Sequence, residues 1–294
     1  MRVVTTIAAV RRELDAARGS GVAVGLVPTM GSLHAGHLSL AERAVAECGF
    51  TAMTVFVNPL QFGPGEDFGA YPRDLERDRV LAEKVGVDLV FAPPVEEMYP
   101  GDVLTTVSVA DLTAALEGAA RPGHFDGVTT VVAKLYAIAG SCRVYFGEKD
   151  YQQLQVVRRM AADLSFPVEV VACPTVREPD GLALSSRNGY LSPEERAAAP
   201  VLQRALREGA TAIEEGGERD PEAVRRLMTD RIEGEPLARL DYAEVVDAAT
   251  LQRIDPLEGE VRLLSAARFG KARLIDNVGA TARERHEPAV DCAH

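Results

Sequence analysis

Two histidines three residues apart are the feature of this sequence most suggestive of chemistry. His34 and His37 lie in the stretch VPTMGSLHAGHLSL (27–40), and the 294-residue chain contains only five histidines. The stretch continues the apolar run VAVGLV, and a helical pattern begins at about Gly36. Backbone N–H groups at a helix start favour anions, and imidazoles can donate hydrogen bonds to phosphate oxygens or carry a proton. The pattern therefore indicates a phosphate-binding turn.

The residues alone leave other interpretations of this stretch open. Gly31 and Gly36 have the spacing of a P-loop, but His37-Leu38 stands where that motif has lysine and Ser or Thr. A His-x-x-His pair could bind a metal, although no third ligand with suitable spacing is visible; we therefore predict no protein-built metal site. The two histidines could also simply pack at the helix start. The glycine-rich segment 19–25 precedes a strand, so it is not a dinucleotide-binding fingerprint.

The segments around the histidines alternate between strand-like and helix-like patterns. Short valine-rich runs followed by amphipathic helices imply an α/β fold, a Rossmann-like doubly wound parallel sheet with helices on both faces. The predicted strands cover 22–27, 51–57, 88–93, 142–147 and 167–174, and the predicted helices cover 7–17, 36–48, 73–86, 124–140 and 150–164. Ligands of such sheets bind at the carboxyl ends of the strands, where the two histidines lie.

The pattern changes near Val176, which divides the chain into two predicted domains, 1–175 and 176–294. A turn-rich connection, VREPDGLALSSRNGYLSPEERAAA, is followed by two helical stretches. Three strand-like segments come next, LDYAEVVDA, VRLLSAARF and ARLIDNV. We therefore expect a smaller C-terminal α+β domain, with a loose polar tail from about Thr281.

The composition excludes several classes of function. A net charge of −12 disfavours a nucleic-acid partner, and no apolar run approaches the roughly 20 residues needed to span a bilayer. The N-terminus lacks a signal-peptide core, so we expect a cytoplasmic protein without membrane attachment. The cysteines form no C-x-x-C pair, which disfavours a zinc knuckle or a disulfide framework; they are Cys48, Cys142, Cys173 and Cys292.

HAGH resembles the H-x-G-H signature of the adenylate-forming nucleotidyltransferases. The flanking motifs PTMGSLHAGH, VFVNPLQFG, FGEKDYQQL and DGLALSSRN occur in this order, together with RPGHF and RLIDNV. From about Arg2 to Val278 the chain thus resembles the pantoate–β-alanine ligase family. The resemblance implies a cytoplasmic, homodimeric enzyme of pantothenate biosynthesis, on the coenzyme A pathway. It would use ATP, as its Mg²⁺ complex, to make pantoyl adenylate and pyrophosphate, and β-alanine would then displace AMP.

The resemblance also assigns residues. His37, as proton donor, His34 and Lys149 would be catalytic, and Gln61 and Gln153 would bind pantoate or β-alanine. Lys149 follows the predicted strand RVYFG, and we expect Asp150 to cap the next helix at least in part. The C-terminal domain would close over the ATP site. The implied ATP-binding residues are Met30, Gly31, Ser32, Leu33, His34, Ala35, Gly36, His37, Gly147, Glu148, Lys149, Asp150, Val176, Leu184, Ser185, Ser186 and Arg187.

Several neighbouring residues have two interpretations. Asn58 either stabilises its turn or touches a substrate hydroxyl, and Tyr71 belongs to a loop that could cover the site. Arg121 and His124 either approach the carboxylate of β-alanine or order a loop. Gln152 points about 100° away from Gln153 along the helix and is left out of the site.

Two rival functions also remain. One is another small-molecule adenylyltransferase of the same superfamily, which would stop after nucleotide transfer. The glutamine positions argue against it, because they match the pantoate site of the resembled family. The other is a non-catalytic nucleotide-binding or RNA-binding module, which the net charge and the complete set His34, His37, Lys149 and Ser186 disfavour.

Overall fold

A computed structural model describes residues 1–63, 68–69 and 71–283 of the chain. The chain divides into two compact units: Met1–Arg177 with Leu184–Ser186 form the first, and Glu178–Ala183 with the chain from Arg187 onward form the second. Cys292 and most of the predicted polar tail lie outside the described residues. The other three cysteines are free thiols.

The first unit contains a six-stranded sheet in which every pairing is parallel, as the sequence predicts. The strand β1, only three residues long, was not predicted; it pairs with β4. The strand order is β1-β4-β3-β2-β5-β6. The strands are β1 (Arg2–Val4), β2 (Val24–Thr29), β3 (Phe50–Val55), β4 (Leu89–Phe91), β5 (Cys142–Gly147) and β6 (Val168–Cys173).

Seven helices belong to the first unit among the described residues. The five predicted helices are present, while two four-residue helices, α4 and α5, were not predicted. Helix α6 buries residues on all sides, which explains its continuous apolar sequence. The helices are α1 (Ile7–Gly19), α2 (Ala35–Glu47), α3 (Leu75–Lys84), α4 (Val95–Met98), α5 (Glu117–Ala120), α6 (His124–Ala139) and α7 (Tyr151–Asp163).

The strand order reverses between β2 and β5. From β2 the chain proceeds to β3 and β4 on one side of the sheet, and β5 and β6 lie on the other side. The loops that leave the carboxyl ends of β2 and β5 therefore start from adjacent strands and lead to elements on opposite sides. Such a switch point is where open α/β sheets form their ligand crevice.

The second unit has three helices and a three-stranded antiparallel sheet among the described residues. We predicted two helices; the additional one, α8, begins with a capping box in which Ser192 and Glu195 each accept the other's backbone N–H. The third strand continues to Ala282, past the point where the tail was expected to become loose. The elements are α8 (Pro193–Ala198), α9 (Val201–Glu214), α10 (Pro221–Glu233), β7 (Arg239–Asp247), β8 (Gly259–Phe269) and β9 (Ala272–Ala282).

Apolar side chains of α9 and α10 pack with those of the three strands into one core. Within the described ranges, none of the helices is long and apolar enough to cross a membrane.

Candidate active site

The loop between β2 and α2 is held in an uncommon conformation by bonds within the protein. Gly31 and Ser32 both have positive φ, 82° and 51°, a region that residues with a side chain rarely adopt. The N–H of Gly31 donates to Thr29 Oγ1 at 3.1 Å. The N–H groups of Ser32 and Leu33 donate to the two carboxylate oxygens of Asp78, at 2.8 and 2.7 Å. Most amides of this turn are thus occupied before any ligand binds.

Asp78 was not among the residues predicted from the sequence. It lies on α3, is only 1% exposed, and shares the inward face of that helix with Ala82. A carboxylate four residues before a buried alanine, on the face that packs inward, is the signal that could have indicated it. Its partners, 45 and 46 residues away in the sequence, could not be predicted without the fold.

The two histidines face each other at the start of α2. The His34 Nδ1 atom accepts the N–H of Gly36 at 3.2 Å and so caps the helix. The ring centroids of His34 and His37 are 4.0 Å apart, which confirms that they share one helix face. A Cβ at Gly36 would lie 2.9 Å from His34 Cε1, so the glycine of HAGH leaves room for the capping ring.

Both imidazoles are poor proton acceptors in this setting. Burial, helped by the neighbouring His34 and Lys149 and partly offset by Asp150, lowers the pKa of His37 to about 3. Burial and Lys149 also lower the pKa of His34. The Nδ1 atom of His37 is buried and has no hydrogen-bond partner among the described residues. Because Nδ1 is enclosed, we expect a hydrogen bond from His37 to a ligand to come from Nε2.

The loop after β5 brings a cation to the same place. Residues Glu148–Asp150 form a 3₁₀ turn directly after Gly147, and the Lys149 ammonium lies 3.6 Å from a carboxylate oxygen of Asp150. The Lys149 side chain is 19% exposed, and its charge contributes to the low pKa of both histidines. Lys149 and the histidine pair therefore lie within electrostatic reach of one another.

The expected capping role of Asp150 is not observed. Asp150 occupies the residue before α7, but its side chain makes no capping hydrogen bond. The 3₁₀ turn gives it φ −97° and ψ 61°, outside the extended conformation that capping residues usually have. The carboxylate is half exposed and directed toward Lys149 rather than toward the helix amides.

Gln61 is oriented by a buried asparagine. The Asn58 side chain is 1% exposed; its Nδ2 donates to Gln61 Oε1 at 3.2 Å and to the carbonyl of Gly127 at 3.0 Å. Its Oδ1 accepts from the hydroxyl of Tyr99 at 2.9 Å, and burial, which raises the pKa of Tyr99 to about 12, keeps that hydroxyl protonated. These contacts show that Asn58 stabilises its turn, which is the first of its two interpretations. The other end of the Gln61 carboxamide, Nε2, points to Met30 Sδ at 3.0 Å.

The turn that carries Gln61 rests directly on the backbone of α6. A Cβ at Gly127 would lie 2.2 Å from the carbonyl oxygen of Leu60 and 2.5 Å from the amide nitrogen of Gln61. Only glycine allows two backbones to approach this closely. Tyr71, 7% exposed, meets Phe62 edge-on at the end of the same turn.

Arg121 and His124 also support Gln61. Arg121 Nη1 lies 3.0 Å from His124 Nε2, and because a guanidinium can only donate, Nε2 must accept. The ring proton therefore sits on Nδ1, which donates to the carbonyl of Gln61 at 2.8 Å. These contacts show that both residues order the Gln61 turn.

The two adjacent glutamines of α7 have different surroundings. Gln152 is 3% exposed and bonds to α5 and to the segment before it: it accepts from the amide of Glu117 and donates to the carbonyls of Leu112 and Ala115. It is a structural residue, consistent with its omission from the predicted site. Gln153 is partly buried on another face of the helix.

The residues predicted from DGLALSSRN divide between the two units. Leu184 donates its N–H to the carbonyl of Val176 at 3.0 Å, and its Cβ lies 3.8 Å from where a Cβ at Gly36 would be. Leu184 is thus beside the start of α2. Ser185 and Ser186 belong to the same unit, whereas Arg187 belongs to the second. Within the described ranges, no group of three or more His, Cys, Asp or Glu side chains could hold a metal ion.

The chain is similar to known proteins over nearly all of its length. The family model described as pantoate-beta-alanine ligase matches residues 2–279. A pantothenate synthetase of Moorella thermoacetica is 56% identical over 95% of this chain and 98% of its own length. One from Rubrobacter xylanophilus is 58% identical over 88% of this chain and 92% of its own length.

Solved structures are similar over the same span. The pantothenate synthetase of Thermus thermophilus superposes with a TM-score of 0.89 at 54% identity, covering 95% of this chain and 99% of that one. A pantoate-beta-alanine ligase of Francisella tularensis, solved with beta-gamma ATP and beta-alanine, superposes with a TM-score of 0.77 at 32% identity, covering 95% and 97%.

Proposed function

The chain belongs to the pantoate–β-alanine ligase family, and we propose that it joins pantoate to β-alanine at the site formed by the loops after β2 and β5. The pantoate carboxylate attacks the α-phosphorus of ATP, which releases pyrophosphate and leaves pantoyl adenylate. The amine of β-alanine then attacks the acyl carbon, which releases AMP and forms pantothenate. The observation that carries the assignment of the site is that the Lys149 charge helps to lower the pKa of both His34 and His37, whose imidazoles face each other.

In the first step an anion attacks a triphosphate, so the barrier depends on how well the site neutralises phosphate charge. Lys149 supplies the positive charge. The low pKa of His37 makes its imidazole neutral at physiological pH, so in the free enzyme it acts as a hydrogen-bond donor rather than as a cation. Negative charge on the phosphates would raise that pKa as the reaction proceeds. We assign charge stabilisation to His34 and His37 first, and proton donation by His37 second.

The backbone contributes less to phosphate binding than a helix start usually does. The amides of Gly31, Ser32, Leu33 and Gly36 all donate to side chains of the protein itself. We therefore propose that the residues from Met30 to Gly36 contribute to ATP binding through the shape of the loop and through their carbonyl and side-chain atoms rather than through their amides. We propose that the phosphate charge is stabilised mainly by the side chains of Lys149, the two histidines, Ser185 and Ser186.

The acid and amine substrates meet the glutamines in this proposal. Asn58 donates to the oxygen of the Gln61 carboxamide, and Gln61 Nε2 directs one hydrogen to Met30 Sδ, which leaves the second N–H to donate to a pantoate oxygen. Gln153 would provide the second carboxamide. The amine step needs neutral β-alanine close to the mixed anhydride, and positioning by these groups supplies much of the rate.

Magnesium enters this reaction as part of the ATP complex. Mg²⁺ commonly keeps several water ligands and binds through substrate phosphates with one or two carboxylates, which fits a site without a dedicated acidic cage. The half-exposed carboxylate of Asp150 is the group we propose to meet the ion or its water. The ion would neutralise charge on the phosphates.

We also propose that the protein is cytoplasmic. That it forms a homodimer is proposed from the resemblance to the family, and that it has no nucleic-acid partner is proposed from its net charge of −12. The division of labour between residues 1–175, for nucleotide and pantoate, and the C-terminal domain remains a proposal, as does the role of Arg187.

The test measures pyrophosphate and AMP released from ATP with pantoate, with and without β-alanine. We expect AMP and pantothenate only when all three substrates are present. Pyrophosphate from ATP and pantoate alone, up to one per site, would indicate an enzyme-bound adenylate. No ATP consumption with any mixture containing pantoate would refute the proposal.

A further inference from the structure

We infer that Asp78 is a positioning residue for adenylate formation, because its carboxylate holds the loop that presents His34 and His37. The carboxylate takes one N–H on each oxygen, from Ser32 at 2.8 Å and from Leu33 at 2.7 Å. The two consecutive amides thus converge on one carboxylate, in the way that successive backbone N–H groups converge on a bound anion. Here the acceptor belongs to the protein itself.

The conformation that Asp78 stabilises is costly without it. Ser32 has φ 51°, and a side-chain-bearing residue in that region costs on the order of 1–3 kcal/mol unless its surroundings impose it. Losing the carboxylate would also leave two amides of an enclosed loop without their acceptor. The loop would then relax, and the relaxation would begin two residues before His34.

The path from Asp78 to the imidazoles is short and rigid. Leu33, whose amide Asp78 binds, is fully buried and precedes His34. His34 caps α2 through Gly36 and faces the ring of His37 at 4.0 Å. A shift of the loop therefore moves both rings relative to Lys149, which is attached to a different strand. A displacement of about 1 Å at a reacting centre can cost about 100-fold in rate.

The Gln61 turn offers an internal contrast. It is held by Asn58, His124 and Gly127, and its contact with the loop after β2, Gln61 Nε2 with Met30 Sδ at 3.0 Å, lies before the two amides that Asp78 binds. Loss of the Asp78 carboxylate should therefore slow adenylate formation without weakening the interaction of the enzyme with β-alanine. A general loss of folding would lower every activity in proportion to the folded fraction.

The experiment compares the full-length enzyme with Asp78→Asn, which keeps the shape but replaces one acceptor oxygen with an NH₂ group. Its matched control is Asp74→Asn on the same helix, where the side chain only caps α3 through the amide of Arg77. For Asp78→Asn we expect pyrophosphate release from ATP and pantoate to fall about 10- to 100-fold, with KM for β-alanine within twofold of the parent. Asp74→Asn should match the parent in both.

Hydrogen exchange of the Ser32 and Leu33 amides gives an independent measure, since only the kinetic arm rests on the proposed function. We expect both amides to be protected in the parent and to exchange at least tenfold faster in Asp78→Asn, while amides of α3 keep their protection. If the parent itself consumed no ATP, the proposed function would fail, and the exchange data would still decide whether Asp78 holds the loop.

Asp78→Glu serves if the asparagine variant does not fold, because it keeps the charge and displaces it by one methylene. In that variant we expect intermediate pyrophosphate release and intermediate amide protection. Unchanged protection of Ser32 and Leu33, or equal loss of adenylate formation and of the β-alanine step, would overturn the inference with either variant.

Discussion

The loops after β2 and β5 leave adjacent strands of the same sheet, yet they are built in opposite ways. The first is closed on itself: its amides bind Thr29 and Asp78, and a Cβ at Gly31 would meet an Asp78 oxygen at 2.8 Å. The second has room, because a Cβ at Gly147 would meet nothing within 4 Å, and its following turn presents Lys149. The difference indicates that one loop supplies geometry and the other supplies charge.

The largest effect is expected from removing that charge. Lys149→Ala should lower pyrophosphate release from ATP and pantoate by about 1000-fold, since a preorganised group facing phosphate oxygens contributes several kcal/mol to the transition state. The thermal unfolding midpoint should stay close to that of the parent.

His37→Ala tests the loop after β2 in the same assay, and we expect pyrophosphate release to fall by about 100-fold. Near-normal turnover in either variant would remove that residue from the mechanism.

The next effect concerns stability and separates the two loops directly. Gly31→Ala should lower the free energy of unfolding by about 2–4 kcal/mol, because the methyl group needs φ 82° and meets Asp78 and Val55 within 3 Å. Gly147→Ala is the matched control: with φ −76° and open space, it should change stability by less than about 0.5 kcal/mol. Denaturant titrations of both variants test this, and similar losses would mean that the loops do not differ.

The smallest effect is a pH dependence of the free energy of unfolding, which arises from His37 after the loop that follows β2. The folded pKa of His37, about 3, lies below its ordinary value of 6.5. The unfolded chain therefore binds the extra proton first, so stability is complete above pH 6.5 and falls as the pH drops toward 3. His37→Gln should remove this component, reducing the loss of stability between pH 7 and pH 4 by about 1–3 kcal/mol.

Denaturant midpoints at several pH values would measure the difference. Parallel curves for the parent and His37→Gln would show that the imidazole keeps an ordinary pKa.

The sequence predicted what is local and periodic in this molecule. Valine-rich runs and helical spacing indicated five of the six parallel strands and the five long helices of the first unit, because each pattern spans several residues of one element. β1 was missed because its three residues, RVV, are mostly exposed and include a charge, whereas the equally short β4 is a fully buried apolar LVF. The motif around His34 and His37 was predicted for the same local reason, and their common face follows from three-residue spacing on a helix.

What the sequence did not predict depends on contacts between distant segments. Asp78 binds amides 45 and 46 residues away, and Asn58 binds the carbonyl of Gly127 69 residues away. Arg121 and His124 were predicted either to approach the carboxylate of β-alanine or to order a loop, and only the distances to Gln61 show that they order the loop. Asp150 failed as a cap because a 3₁₀ turn, invisible in the pattern, precedes its helix.

The contact of Gly127 with the turn at Leu60 limits how the proposed substrate site around Gln61 could be reshaped. Two main chains touch there without any intervening side chain, so the turn that carries Gln61 cannot retreat toward α6 to admit a longer amine or a bulkier acid. Extra room would have to come from a shorter side chain at Gln61 itself, because the wall behind it is main chain and offers nothing to trim. Substitutions that separate these two main chains in order to broaden the substrate range should destabilise the fold before they admit new substrates.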